Sequence, residues 1–150
     1  MLTEEPLQPG EIRELIHIAH EEGMAVMSHC NGARTAEAAA MAGVDSIDHG
    51  AYLDKDALQA MEENGTVWVP TLSTIGNLRG KGRFNEDAVR KILDSALANV
   101  AQYKGLLAAG TDAGAWAVPH GSTTEEGYFA MAGVGEDRLL EGFRVIQQKF

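Results

Sequence analysis

A glycine closes one helical pattern after another along this chain, and a short apolar run follows each time. Residues 11–22 place Ile12, Leu15, Ile16 and Ala19 on one helical face, and Gly23 ends the pattern. The run 25–30 (AVMSHC) then reads as a strand. Residues 33–42 form an alanine-rich helix closed by Gly43, before a second strand at 45–50 (DSIDHG). Asp54 is placed to cap a helix over 55–64 that Gly65 ends, and 66–72 (TVWVPTL) reads as the third strand. A polar loop with Gly76, Gly80 and Gly82 leads to Asn85, the cap of a longer helix carrying Val89, Ile92, Leu93, Leu97 and Val100 at helical spacing. After Gly105 comes a fourth strand at 106–111 (LLAAGT), then helices near 124–132 and 136–148. Strands alternating with helices across short joins argue for parallel βαβ units in one α/β domain spanning 1–150. Right-handed crossovers place the helices either around a barrel wall or on both faces of an open sheet.

Composition narrows the partners. The chain has 150 residues, is 45% hydrophobic and carries a formal net charge of −10, so it can bury a core and repels nucleic acid and anionic membrane. Cys30 is the single cysteine, which excludes an internal disulfide framework. With no apolar stretch of membrane-spanning length and no secretory start, a cytoplasmic setting is the expectation.

The polar residues at strand ends carry the chemistry. Strand alternation puts His29 with Met27 and Ala25, and turns Cys30 the other way, which removes Cys30 as ligand or nucleophile. His49 is expected to share a face with Ile47 and Asp45, and Asp112 lies just past Thr111 on the face of Gly110 and Ala108. Three units therefore end in His, His and Asp at the C-terminal end of the strand, where parallel α/β folds bind ligands. Two imidazoles and a carboxylate suit zinc or a similar divalent metal. A lone strand-end histidine is more often a hydrogen-bonded core residue, and Asp112 between glycines would also suit an Asx-turn. The loop 77–84 holds Arg79, Lys81 and Arg83 among glycines. Arg79 in a lid would meet a substrate carboxylate, although a solvated loop is the commoner outcome for such a segment. His17 and His20, three apart on a helix, read as surface or packing residues.

Several stretches together resemble the amidohydrolase superfamily, in its imidazolonepropionase-like and prolidase-like branch. They are Ser28-His29-Cys30-Asn31-Gly32-Ala33-Arg34, Ala42-Gly43-Val44-Asp45-Ser46-Ile47-Asp48-His49-Gly50, Val69-Pro70-Thr71-Leu72, Gly110-Thr111-Asp112-Ala113-Gly114 and Val118-Pro119-His120-Gly121. Their order follows that family from the helix before its fifth barrel strand through its eighth. The resemblance implies half of a TIM-type (β/α)8 barrel with about four parallel strands, equivalent to strands five to eight. It implies His29 and His49 as metal ligands, and Asp112 as a metal contact that also moves a proton from the attacking water to the leaving amine. It places His120 at the substrate pocket.

The chain departs from that family in two respects. The His-x-His pair of the family's first strand and the bridging lysine of its fourth do not occur here, and the 100–110 segment is shorter than usual. A full barrel takes about 250 residues. The expectation is thus part of a metal-dependent, zinc-type amidohydrolase acting on amide C–N bonds in cyclic amides, N-acyl amino acids or Xaa-Pro dipeptides, and inactive by itself. A free-standing metal- or partner-binding module is the alternative. An open half-barrel exposes apolar residues, among them Ala25, Met27, Ile47, Val67 or Trp68, Leu106 and Ala108, which leads to the expectation of a homo-oligomer.

Overall fold

The fold follows the order that the closing glycines set. The computed structural model describes residues 6–114 and 116–150. In chain order the elements are α1 (Pro9–Glu21), β1 (Met27–Cys30), α2 (Ala33–Met41), β2 (Ser46–His49), α3 (Lys55–Glu63), β3 (Val67–Val69), α4 (Leu72–Gly76), α5 (Glu86–Gln102), α6 (Thr124–Met131) and α7 (Glu136–Lys149). Gly43 and Gly65, just past α2 and α3, take φ of 88° and 67°, a left-handed turn that a Cβ would resist. Asp54 and Asn85 accept hydrogen bonds from the backbone N–H of Ala57 and Ala88, so both expected caps form. Among the described residues no helix is long and apolar enough to cross a membrane.

Among the described residues the sheet has three parallel strands in the order β1-β2-β3, and the expected fourth does not form as a full strand. The fourth run reaches the sheet only as a single parallel bridge between Trp68 and Leu107. Trp68 N–H donates to Leu106 O at 2.8 Å, and Ala108 N–H donates to Trp68 O at 3.0 Å. Toward its start the ladder cannot extend, because Thr66 N–H donates to Met61 O and Thr66 O accepts from the Tyr103 hydroxyl. The carbonyls of Tyr103 and Gly105 accept from the Arg138 guanidinium of α7. On the far side, the Gly110 backbone lies so close to Val69 that a Cβ there would stand 2.5 Å from Val69 Cγ1. The third strand is also shorter than its sequence pattern. Pro70 lacks a donor, Thr71 turns left-handed at φ 45°, and Leu72–Gly76 coil into α4.

The registers sort the two faces. Ser28 pairs with Ile47, and Ile47 with Trp68. Ile47 and Trp68 are fully buried, in one core cluster with Ala36, Ala40 and Met61 of the helices. The small side chains of α2 let it approach closely, and Trp68 meets Tyr103 edge-on at 5.4 Å. His29 pairs with Asp48, and Asp48 with Val69, on the opposite face. Ile47 therefore does not share the face of the site, and neither does Trp68; Asp48 and Val69 occupy it.

That second face is partly covered by the chain itself. Phe143 and Ile146 of α7 line one depression with Met27, Asp48 and Val69. Gly142 allows the approach, because a Cβ there would stand 2.1 Å from Leu107 O. The end of α7 is held at Asp45, whose carboxylate accepts from Lys149 Nζ, from Val26 N–H and from His20 of α1. Burial alone would raise the Asp45 pKa, but these bonds outweigh it and hold the carboxyl below its usual range.

Two outcomes follow. Gly142→Ala should lower unfolding free energy by about 1–3 kcal/mol through overlap with the Leu107 peptide, whereas Gly127→Ala, with open space around it, should raise it by about 0.5–1 kcal/mol; urea unfolding followed by tryptophan fluorescence measures both. Because the Asp45 pKa is depressed on folding, its stabilisation is complete above the ordinary carboxylate range and is lost as pH falls through the folded value. The stability gap between wild type and Asp45→Asn should therefore be level near neutrality and close in strong acid. A gap that is unchanged in acid would show that the carboxylate's ionisation contributes nothing.

Candidate metal centre

The site lies at the C-terminal ends of the strands, and backbone conformation sets its shape. His49 ends β2 with φ 67°, a rare conformation for a side chain of its size. Plain alternation would leave it with its register partner Cys30, which is buried on the helix side. The left-handed turn instead brings its ring to His29, with centroids 4.4 Å apart and planes at 68°. Two contacts from β3 hold that turn. Trp68 Nε1–H donates to His49 O at 3.1 Å, and a Cβ on Gly50 (φ 66°) would meet Trp68 Nε1 at 2.7 Å. Beyond β3, Thr71 Oγ1 is hydrogen-bonded to His49 Nδ1 at 2.7 Å.

Asn31 stitches the first two strand ends together. Its Oδ1 accepts from Ala51 N–H at 2.8 Å, and Gly32 N–H donates to Ala51 O at 2.7 Å. Asp112 enters from the loop after the fourth run with φ 51°. The local turn bond there is made by Thr111, whose Oγ1 accepts from Ala113 N–H. His29, Asn31, His49, Ala51, Thr74 and Asp112 line a single open depression of about 360 Å³. Among the described residues, the non-glycine positions with positive φ are His49, Tyr52, Thr71 and Asp112, and all four sit at these strand ends or in the loops leaving them. Strained backbone gathered in this way marks functional surfaces.

The electrostatics favour neutral imidazole. Burial, reinforced by the nearby His29, pushes the His49 pKa below its usual value, so the ring keeps a lone pair at neutral pH. Asp48 is half-buried beside His29, and burial raises its pKa against the pull of both histidines. Two imidazoles in edge contact with a carboxylate on the same rim are the donor chemistry a divalent metal takes. Among the described residues, no three His, Cys, Asp or Glu side chains are gathered closely enough to hold an ion outright. The residues present therefore fit a metal as a pair with a third donor at the rim, not as a closed cage.

The other expected site residues lie outside the depression. His120 is exposed and packs on the backbone of Gly114, where a Cβ would stand 3.2 Å from its Nε2. Arg79 is exposed beyond α4, and the cation that reaches the Asp112 loop is Arg83, over Trp116 at 5.4 Å. Cys30 is buried, and burial pushes its thiol up to about 11, in line with its exclusion as a ligand. His17 pairs with Glu21 on the surface of α1. Asp48 and Thr71 belong to the site although sequence reasoning did not single them out. Both lay inside quoted motifs, but nothing short of the register shows which way they face.

Comparison with known proteins bears on the fold. No family model matches the chain. An uncharacterized protein of Mycobacterium tuberculosis is 32% identical over 124 residues, covering 77% of this chain and 33% of the relative. Ochratoxinase of Aspergillus niger is 29% identical over 128 residues, covering 82% of this chain and 26% of the enzyme. The crystal structure of a Xaa-Pro dipeptidase with bound methionine superposes with a TM-score of 0.75 and 26% identity over 91% of this chain and 36% of that one. The chain spans between about a quarter and just over a third of the length of these matched proteins. In sequence and in fold it resembles part of a Xaa-Pro dipeptidase and of ochratoxinase, as an amidohydrolase-like fragment does.

Proposed function

We propose that this chain carries the His29–His49–Asp112 portion of a metal-dependent amidohydrolase site, which in a complete barrel hydrolyses amide-type C–N bonds. The observation that carries the reading is the edge contact of the two imidazoles above a shared rim with Asp112. The relatives support the bond type, since a Xaa-Pro dipeptidase is named for a dipeptide substrate. Cyclic amides, N-acyl amino acids and Xaa-Pro dipeptides are the substrate classes we assign.

His29 and His49 would hold a divalent metal, zinc foremost. When bound, such an ion polarises a carbonyl and lowers the pKa of water. The chain's own residues do the rest. Thr71 occupies His49 Nδ1 and leaves Nε2 as the free ring nitrogen. Asp112, exposed at the rim, accepts a proton from water and delivers it to the leaving amine. Asn31 keeps the first two strand ends in register. His120 and Arg79, on the loops around the rim, are the groups we assign to the substrate.

A second reading, a non-catalytic metal- or partner-binding half-barrel, is favoured by one observation: the chain lacks a His-x-His pair, and no closed ligand cluster forms among the described residues. Under either reading we propose a soluble cytoplasmic protein that avoids nucleic acid and membranes. We also propose that it self-associates, through the outer edge of β1 now that α7 partly covers the concave face. Light scattering at micromolar concentration should report more than one copy, and a monomer with slow amide exchange in β1 would refute it.

For the metal, calorimetric titration of zinc into metal-stripped protein should show weak binding that vanishes in the His29→Ala, His49→Ala double variant. Equal binding by both proteins would sink the assignment. Assayed with N-acyl amino acids and Xaa-Pro dipeptides plus zinc or manganese, the chain alone should show negligible turnover. Turnover that Asp112→Asn abolishes would place a working catalytic centre in this chain and overturn the non-catalytic reading.

A further inference from the structure

The helix α4 lacks the cap its own sequence offers. Thr71 stands at its N-cap position, and a threonine there ordinarily turns its hydroxyl to the helix's first N–H groups. Here Thr71 makes no such bond; its Oγ1 is engaged with His49 Nδ1 at 2.7 Å. The capping duty falls to a residue 53 positions away. Glu125 of α6 is 2% exposed. Its Oε1 accepts from Leu72 N–H at 2.8 Å, and its Oε2 accepts from Ser73 N–H at 2.7 Å. The contact is reinforced on either side. Thr124 Oγ1 donates to Ser73 Oγ at 2.9 Å, and Asn77 Nδ2 donates to Thr124 Oγ1 at 3.0 Å. Gly76 lies flat against Tyr128, where a Cβ would stand 2.1 Å from the ring.

A buried carboxylate is an expensive way to cap one turn of helix, and burial pushes the Glu125 pKa upward despite its hydrogen bonds. A helix of five residues does not hold its shape unaided. Without the Glu125 carboxylate, the Leu72 and Ser73 N–H groups would be unpaired, and they would draw the Thr71 hydroxyl into the ordinary capping role and away from φ 45° and ψ 48°. The His49 ring would then lose the partner on Nδ1.

We propose that Glu125 is a positioning residue for His49: by capping α4 from α6 it releases the Thr71 hydroxyl to accept from His49 Nδ1–H, which fixes the ring tautomer and leaves Nε2 as the donor nitrogen. The inference deepens the metal-site reading, and rests on it only where metal affinity is measured. It concerns Glu125 and Thr71, neither of which touches a reacting group.

The test uses the full chain, metal-free and 15N-labelled at histidine, at one fixed pH above neutrality. Long-range 1H–15N spectra report which nitrogen of His49 carries the proton. Wild type and Thr71→Ser should show the Nδ1–H form. Thr71→Val and Glu125→Ala should shift the ring to a mixture led by Nε2–H, and Glu125→Gln, which keeps one acceptor, should fall between them. Glu125→Gln also keeps the test decisive if Glu125→Ala does not fold, since a purely structural role would lower the melting temperature and leave the tautomer of the folded molecules unchanged. An Nε2–H wild type would overturn the proposal. So would a Glu125→Gln ring identical to wild type while Thr71→Val shifts. Zinc titration of the same proteins separates the two ideas: affinity should weaken about tenfold in Thr71→Val and Glu125→Ala. If wild type takes no zinc but the tautomers move as described, the positioning role stands and the metal assignment falls.

Discussion

Trp68 joins the sheet to the site. Its backbone makes both hydrogen bonds that tie the fourth run to the sheet, and its ring lies fully buried between Ile47 and Tyr103. Its indole N–H reaches across to the carbonyl of His49, and its bulk leaves room for nothing larger than glycine at position 50. One residue thus ties the fourth run to the sheet through its backbone and holds the rare turn at His49 through its ring. A smaller residue would leave a cavity and an orphaned carbonyl together, and the histidine pair would lose its geometry before the sheet lost its order.

The second constraint is the exposed face that any partial barrel carries. In a closed barrel, side chains of opposing strands fill the interior in layers. Here an amphipathic helix does so, with Phe143 and Ile146 over the strands and Gly142 against the Leu107 peptide. Arg138 takes the carbonyls of Tyr103 and Gly105 in the same contact. Covering the face and holding the entry to the fourth run fall to the same helix: α7 lies over the sheet while its Arg138 binds the chain just before that run.

Much of this was legible in the sequence because local rules govern it. The glycine stops, the caps at Asp54 and Asn85, and the parallel alternation depend on neighbours in the chain. So does the placement of His29 opposite Cys30 across a strand. What failed to show depends on residues far apart. Alternation assigned His49 to the face of Ile47, because a left-handed turn at a histidine leaves no trace in a pattern of period two. The apolar run at 106–111 looked like any other strand, and it is shortened by residues distant in sequence: Thr66, whose ladder groups are taken by Met61 and Tyr103, and Pro70, which has no N–H to give. Glu125, read locally, is an acidic residue in the first turn of a helix; its carboxylate serves a different helix 53 positions earlier. The metal ligands drew attention by type and position, whereas Asp48 and Thr71 required the register and a φ angle.

The covering helix has a consequence for how the chain is made. Asp45 and Lys149 are 104 positions apart, and the helix bearing Lys149 is made long after the strand it closes over. While the ribosome extends the chain from β2 onward, the face carrying Met27, Asp48 and Val69 waits for α7 for the time it takes to translate about a hundred codons. At about 5–20 residues per second, that is an interval of several seconds. During that interval the nascent sheet presents an apolar surface and an open strand edge to chaperones and to its neighbours on the same message. Selection on this sequence therefore bears on its half-made state as well as on its finished one.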